Sequence, residues 1–176
     1  MKRTLLFCLV VLLLLSLCSC GDKVIKDENG NVIERTVYKD DGSILMIQKY
    51  EYDDVGNCTQ YKEIDDENNV VWIFQYEYDT NNRKIKSTHY EKGEIVDYTI
   101  FEYWDNGNDY KRTTYYANHV IKEIWEYDND GNSKLWVEYD TNGEFNGKVE
   151  FTYSAGKLVR RVEYDKNGNI TEEKEY

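Results

Sequence analysis

Asp128-Asn129-Asp130-Gly131-Asn132 reads like the opening of a calcium loop, with oxygen-bearing side chains at alternate positions and a glycine among them. The EF-hand form needs glycine at the sixth position and glutamate at the twelfth, where this chain has Ser133 and Tyr139. The same phrase recurs at Asp53, Asp79 and Asp165, so a turn accounts for it and no metal site is assigned. Glycoside hydrolysis needs two carboxylates at a fixed separation, and among 34 Asp and Glu residues no pair stands out from the repeating pattern. His89 and His119 are the only imidazoles; His89 fills a slot that glutamate holds elsewhere and His119 adjoins a turn, so both read as solvated strand residues. Cys58 has no histidine near it in sequence and reads as a small strand residue. No nucleophile–base arrangement emerges, and neither an enzyme nor a cofactor is expected.

The first residues carry chemistry of another kind. Lys2 and Arg3 precede an apolar run from Leu5 to Leu15, the pattern of a secretory signal, and that run is shorter than the roughly 20 residues a membrane-spanning helix needs. It ends in Leu17-Cys18-Ser19-Cys20-Gly21, which resembles the lipobox of bacterial lipoproteins. The resemblance implies cleavage before Cys20 and lipidation of its thiol, with Cys18 disfavoured because Leu17 is bulky. The expected organisation is a signal peptide over 1–19, the lipidated cysteine and a short tether over 20–25, and a β-repeat domain over 26–176. Membrane attachment through Cys20 and a cell-envelope location follow, with the outer membrane or cell surface the expected site. Cys58 is then the one remaining thiol, so no intramolecular disulfide can form. Loss of residues 1–19 leaves 20 Lys and Arg against 34 Asp and Glu, a net charge of −14 that repels phosphate backbones, and nucleic acid is not an expected partner.

The elements that carry these residues are repeats. Aligning on the Tyr-Asp phrase divides the chain into twelve units that open at Lys26, Tyr38, Tyr52, Ile64, Tyr78, Tyr90, Tyr103, Tyr115, Tyr127, Tyr139, Tyr153 and Tyr164. The fifth position holds Gly or Asn in nine of them: Gly30, Gly42, Gly56, Asn68, Asn82, Gly107, Gly131, Gly143 and Gly168. In the other three, Gly93, Asn118 and Gly156 come one place earlier. Both residue types enter left-handed backbone at low cost, which predicts type I turns closed by a left-handed residue in the first group and two-residue hairpins in the second. Aspartate at the second position can accept the turn amides.

Between turns the chain alternates with period two. In Val70–Tyr78 the side chains of Trp72, Phe74, Tyr76 and Tyr78 share one face, and the same reading puts Trp125 with Tyr127, Val137 with Tyr139 and Val162 with Tyr164 on that face. The opposite face is expected to carry the glutamates and basic residues such as Lys134 and Arg161. Short strands joined by tight turns leave no room for parallel crossovers. The fold class is therefore all-β: an antiparallel meander of about twelve short strands, curled because sheets of more than about ten strands rarely stay flat. Whether it closes into a barrel is left open by the pattern.

Tyr-Asp-x-x-Gly followed by a β-run resembles the YD repeat of the RHS family of bacterial surface and secreted proteins. The likeness covers nearly the whole chain after Cys20. It departs from the family pattern after the glycine, where Asn57, Asn108, Asn132 and Asn169 stand. It implies architecture and envelope context and no activity. The seventeen tyrosines and four tryptophans suit either a half-buried sheet face or a recognition surface. Trp104, in a turn where other units carry Asp, and Trp136, on the face opposite its tyrosine neighbours, are the first candidates for a binding surface, with Trp72 and Trp125 beside them. The expected function is a lipid-anchored, non-enzymatic β-repeat protein that offers an extended surface to a protein or glycan ligand. The alternative is a structural envelope component or a toxin-neutralising, immunity-type protein.

Overall fold

Residues 21–176 are described by the computed structural model; the expected signal peptide over 1–19 and the expected lipidation site Cys20 lie outside the described residues. Thirteen strands follow in chain order: β1 Lys23–Lys26, β2 Val32–Tyr38, β3 Ile44–Tyr52, β4 Cys58–Asp65, β5 Val70–Tyr78, β6 Lys84–Glu91, β7 Glu94–Tyr103, β8 Asp109–Tyr116, β9 Ile121–Tyr127, β10 Ser133–Tyr139, β11 Phe145–Ser154, β12 Lys157–Asp165 and β13 Ile170–Glu175. Each pairs antiparallel with the next in one sheet whose spatial order equals the chain order. The count exceeds the expected twelve by one because a turn needs a strand on both sides. Lys23-Val24-Ile25-Lys26 supplies the strand before the turn at Asp27, so most of the segment between Cys20 and the first unit is sheet.

Backbone contacts join only sequential strands, so among the described residues the sheet neither closes into a barrel nor folds back on itself. A single layer therefore leaves both faces without a covering element. Most of the burial runs as a row along the middle of one face, which we call the back; Thr114 and Val149, at 7% and 5% exposure, are buried on the other. One β-branched residue comes from each even-numbered strand: Thr36, Ile64, Thr88, Thr113, Val137 and Val162, with 9% exposure at most. Val162, at 1%, is the best-buried side chain, and covering it contributes about 1.5–3 kcal/mol.

Ten of the twelve turns share one geometry, seen at Asp53, whose amide donates to the Asn57 carbonyl while the Gly56 amide donates to the Asp53 carbonyl. The residue in the Gly56 slot is left-handed, with φ of 92° there. Lys92-Gly93 and Ala155-Gly156 form the two-residue hairpins, both residues having positive φ. The unit at Tyr115 was expected to join them through Asn118 but takes the commoner form: His119, at φ 66°, is its left-handed residue. Asn118 instead uses its Oδ1 to accept the Val120 amide.

The seven units with Asp at position two use that carboxylate in one way. Its Oδ1 accepts the amides two and four residues on, as at Asp53 from Val55 at 3.1 Å and Asn57 at 2.8 Å. Where Lys39, Trp104 or Tyr116 takes the position, the acceptor moves two residues along to Asp41, Asn106 or Asn118. These bonds hold the turn carboxylates below the usual aspartate range. The neighbouring Asn amide is the main cause at Asp27, Asp53, Asp128 and Asp165. The backbone amide four residues on is the main cause at Asp65, Asp79 and Asp140.

Every hairpin also carries a register shift, and in six of them it falls at a Glu–Tyr pair such as Glu51/Tyr52, Glu77/Tyr78 or Glu102/Tyr103. The bulge corrects the expected faces. In ten hairpins partners differ in numerical parity, as Tyr50 and Tyr61 do; in the two-residue hairpins they agree, as Thr88 and Tyr98 do. A face therefore switches between even and odd residues at most turns. Trp136 pairs with Trp125 and so shares its face, the front, whereas Val137 and Val162 point to the back. Arg161 stands opposite Phe151 on the front, so charged and apolar residues are mixed on both faces rather than segregated.

Candidate interaction surface

Register alone lines up two aromatic rows on the front face. The first runs Tyr50, Tyr61, Phe74, His89 across β3 to β6, each residue being the partner of the next. Its rings close on one another: Tyr50–Tyr61 at 5.3 Å, Tyr61–Phe74 at 6.2 Å, and Phe74 stacked on His89 at 4.6 Å with the planes 5° apart. The Tyr61 hydroxyl donates to Glu63 Oε2 at 2.6 Å and accepts from Gln48 Nε2 at 3.0 Å. Burial, and then the bond to Glu63, push the Tyr61 phenol far above its usual range. Burial first, and then the neighbouring Cys58, Tyr78 and Tyr50, lift Tyr76, beside this row, to about 12. His89 is thus no solvated residue: its side chain is 17% exposed, Asp97 and Glu91 stand 3.6 and 3.7 Å from its two nitrogens, and Nε2 has no hydrogen-bond partner.

The second row runs Phe101, Arg112, Trp125, Trp136, Val149 across β7 to β11. It is looser. Trp125 lies 6.0 Å from Trp136 and 6.5 Å from Phe151, and the Arg112 guanidinium stands 5.6 Å from the Phe101 ring centre and 5.1 Å from that of Tyr127. Arg112 Nε donates to Asp109 Oδ2 at 2.7 Å. A parallel row two residues away carries Thr99, Thr114, Glu123 and Glu138. Thr99 and Thr114 hydroxyls meet at 3.0 Å, and Trp136 Nε1 donates to Glu123 Oε2 at 3.1 Å. Between the rows lies an open depression of about 400 Å³ walled by Arg112, Glu123, Trp125 and Tyr127.

The structure places three of the four candidate tryptophans on one face and brings Trp125 and Trp136 together. Trp72 lies on the same face by the first row, edge-on to His89 at 6.5 Å. Trp104 is elsewhere, at the turn end of the sheet. Its Nε1 donates to the Asp128 carbonyl of the next turn on that end at 3.2 Å, and its ring meets Tyr110 edge-on at 4.6 Å, so it staples two turns. Asn106 and Asn108 bond the Asn129 carbonyl beside it. Arg112, Glu123, Thr99 and Thr114 were not singled out from sequence; the parity rule, once the bulge is known, is the signal that would have put them next to Trp125. Asp128 spends Oδ1 on two turn amides, and among the described residues no group of three or more His, Cys, Asp or Glu stands close enough to hold a metal ion. Cys58 begins β4 with its thiol pushed up by burial and 3.3 Å from the Gln60 carbonyl.

The chain matches no protein-family model and no curated protein. Among solved structures it is similar to TcdB2-TccC3 without its hypervariable C-terminal region, at 12% identity and a TM-score of 0.43, over 84% of this chain and 9% of that one. It is similar to TarM at 15% identity and a TM-score of 0.35, over 74% and 21%. The TcdB2-TccC3-Cdc42 structure follows at 11% and 0.25, over 85% and 11%. The chain thus spans from 9% to 21% of the length of these chains, and likeness at such scores carries no argument.

Proposed function

We propose that this protein is a lipid-anchored, cell-envelope β-repeat protein of the YD-repeat type, non-enzymatic, whose front face is an extended interaction surface for a protein or glycan. The observation that carries the reading is the single layer: backbone contacts join only sequential strands, so no second layer covers Trp72, Trp125 or Trp136. Large half-exposed aromatics rimmed by charge are the usual composition of a recognition surface. The anchor rests on the Cys20 motif, and the YD-repeat likeness on the Asp-x-x-Gly turns.

Two experiments test the two halves. Metabolic labelling with a palmitate analogue should mark the chain and fail on Cys20→Ala; equal labelling of both overturns the anchor. The full chain in detergent should bind immobilised cell-wall polysaccharide or envelope membrane proteins, and replacing Trp72, Trp125 and Trp136 with Ala should abolish this while the β circular-dichroism signal persists. Unchanged binding by the triple variant removes the front face from the account.

A further inference from the structure

We propose that the second row is a binding track for a linear neutral polysaccharide of sugars with equatorial hydroxyls, a proposal that rests on the front face being an interaction surface. Its five residues are successive register partners, so they lie on one line across β7 to β11. Five strands at about 4.8 Å spacing make that line about 19 Å long. Its floor is aromatic except at Arg112 and at Val149, whose 5% exposure closes the β11 end, and one flank presents Thr99, Glu123 and Glu138 around the buried Thr114, whose hydroxyl is held between Thr99 and Glu123. A pyranose with equatorial hydroxyls has the matching form, two apolar C–H faces and a polar belt. The face rests on Trp125 and Trp136 and the belt turns toward the flank.

Charge selects a neutral ligand. Asp109 already engages Arg112, while Glu123 and Glu138 make the flank acidic on a chain of net charge −12. Anionic polymers are repelled there, and hydroxyl donors fill acceptor capacity that the carboxylates retain. Each oxygen of Glu123 takes one bond, from Thr114 at 3.3 Å and from Trp136 at 3.1 Å, and can take a second.

Topology speaks against an extended peptide. Strand addition needs an unpaired backbone edge, and every strand from β7 to β11 is paired on both sides. The track runs across the strands, so it offers side chains alone. A small apolar ligand is no better served, because the depression is open rather than enclosed.

The test is titration of the full chain, in a detergent without a sugar headgroup, with cello- and chito-oligosaccharides, following tryptophan fluorescence and calorimetry. A heparin oligosaccharide of equal length is the anionic control. Neutral oligosaccharides should bind and heparin should not. Trp125→Ala and Arg112→Gln should each weaken binding about tenfold or more, whereas Tyr90→Phe, on the back of the sheet, should leave it unchanged. Because Trp125→Ala removes packing, the isosteric Glu123→Gln serves as the second variant and should also weaken binding. Failure of all neutral oligosaccharides to bind, or binding indifferent to Trp125→Ala and Glu123→Gln, overturns the track. If the wild type still captures envelope protein through the front-face tryptophans, the track falls and the interaction surface stands; if the triple-tryptophan variant captures envelope material as well as the wild type, the surface itself falls.

Discussion

The two aromatic rows of the front face are built by the same repeat and do different things. Tyr50, Tyr61, Phe74 and His89 form an unbroken chain of ring contacts, stacked at Phe74–His89 and tilted elsewhere, and the hydroxyl in their midst is bonded on both sides. In Phe101, Arg112, Trp125 and Trp136 the run of rings is broken by a guanidinium, no pair stacks, and a depression is left beside them. In a sheet with no second layer, cohesion has to come from neighbours on the same face, and the first row supplies it. The second row has its cohesion from elsewhere: the Arg112–Asp109 and Trp136–Glu123 bonds and the back-face residues Thr113 and Val137 beneath it. Its aromatic surface stays available. Identical backbone architecture thus leaves room for function only where side-chain cohesion is shifted off the aromatic rings.

Substitutions should separate the rows by their effect on stability. Tyr61→Ala removes the ring between Tyr50 and Phe74 and strips Glu63 and Gln48 of a partner, so urea denaturation should show a loss of about 2–3 kcal/mol. Trp125→Ala, despite a larger side chain, should cost about half that, because it strips no hydrogen-bond partner and its nearest ring is 6.0 Å away against 5.3 Å for Tyr61. Equal losses would erase the distinction between cohesive and open rows. Next in size, Gly56→Ala puts a methyl group on left-handed backbone at φ 92° near the first row and should cost about 1 kcal/mol. At the corresponding turn slot beyond the second row, His119→Gly relieves that strain but loses the 3.0 Å contact to Tyr98, so its midpoint should move by no more than about 0.5 kcal/mol. Tyr61→Phe, which keeps the ring and deletes the bonds, should cost about 1 kcal/mol, isolating the polar share of the first row.

The smallest effect is a pH dependence common to both regions. The turn carboxylates Asp27, Asp53, Asp65, Asp79, Asp128, Asp140 and Asp165 have folded-state values depressed by hydrogen bonds. A depressed carboxylate stabilises the fold above its unfolded value of about 3.9 and loses that contribution as pH falls through the folded value. The urea midpoint should therefore stay level from neutral pH to about 5 and decline below about 4, and Asp53→Asn should shallow the decline. A midpoint that rises on acidification contradicts the role given to these turns.

Much of this was legible in the residues. Gly and Asn at fixed spacing mark the turns, the absence of long connections dictates antiparallel pairing, and the repeat fixes a meander. The faces were not legible. A bulge consumes a residue without a signature of its own, so Trp136 reads as opposite Trp125 in sequence and stands beside it in the sheet. His119 escaped for a related reason: its left-handed backbone is rare for a side chain with a Cβ, and Asn118 next to it is the better sequence match. Arg112 and Glu123 look like ordinary strand charges until register places them around an indole.

The central claim is that one layer leaves both faces open, and hydroxyl-radical footprinting of the full chain in detergent reads it directly. The account predicts oxidation of Trp72, Trp125 and Trp136 on the front and of Tyr90, Tyr98 and Tyr164 on the back, all in the same folded preparation. Protection of either whole set would mean that a second layer covers that face and would contradict the single sheet.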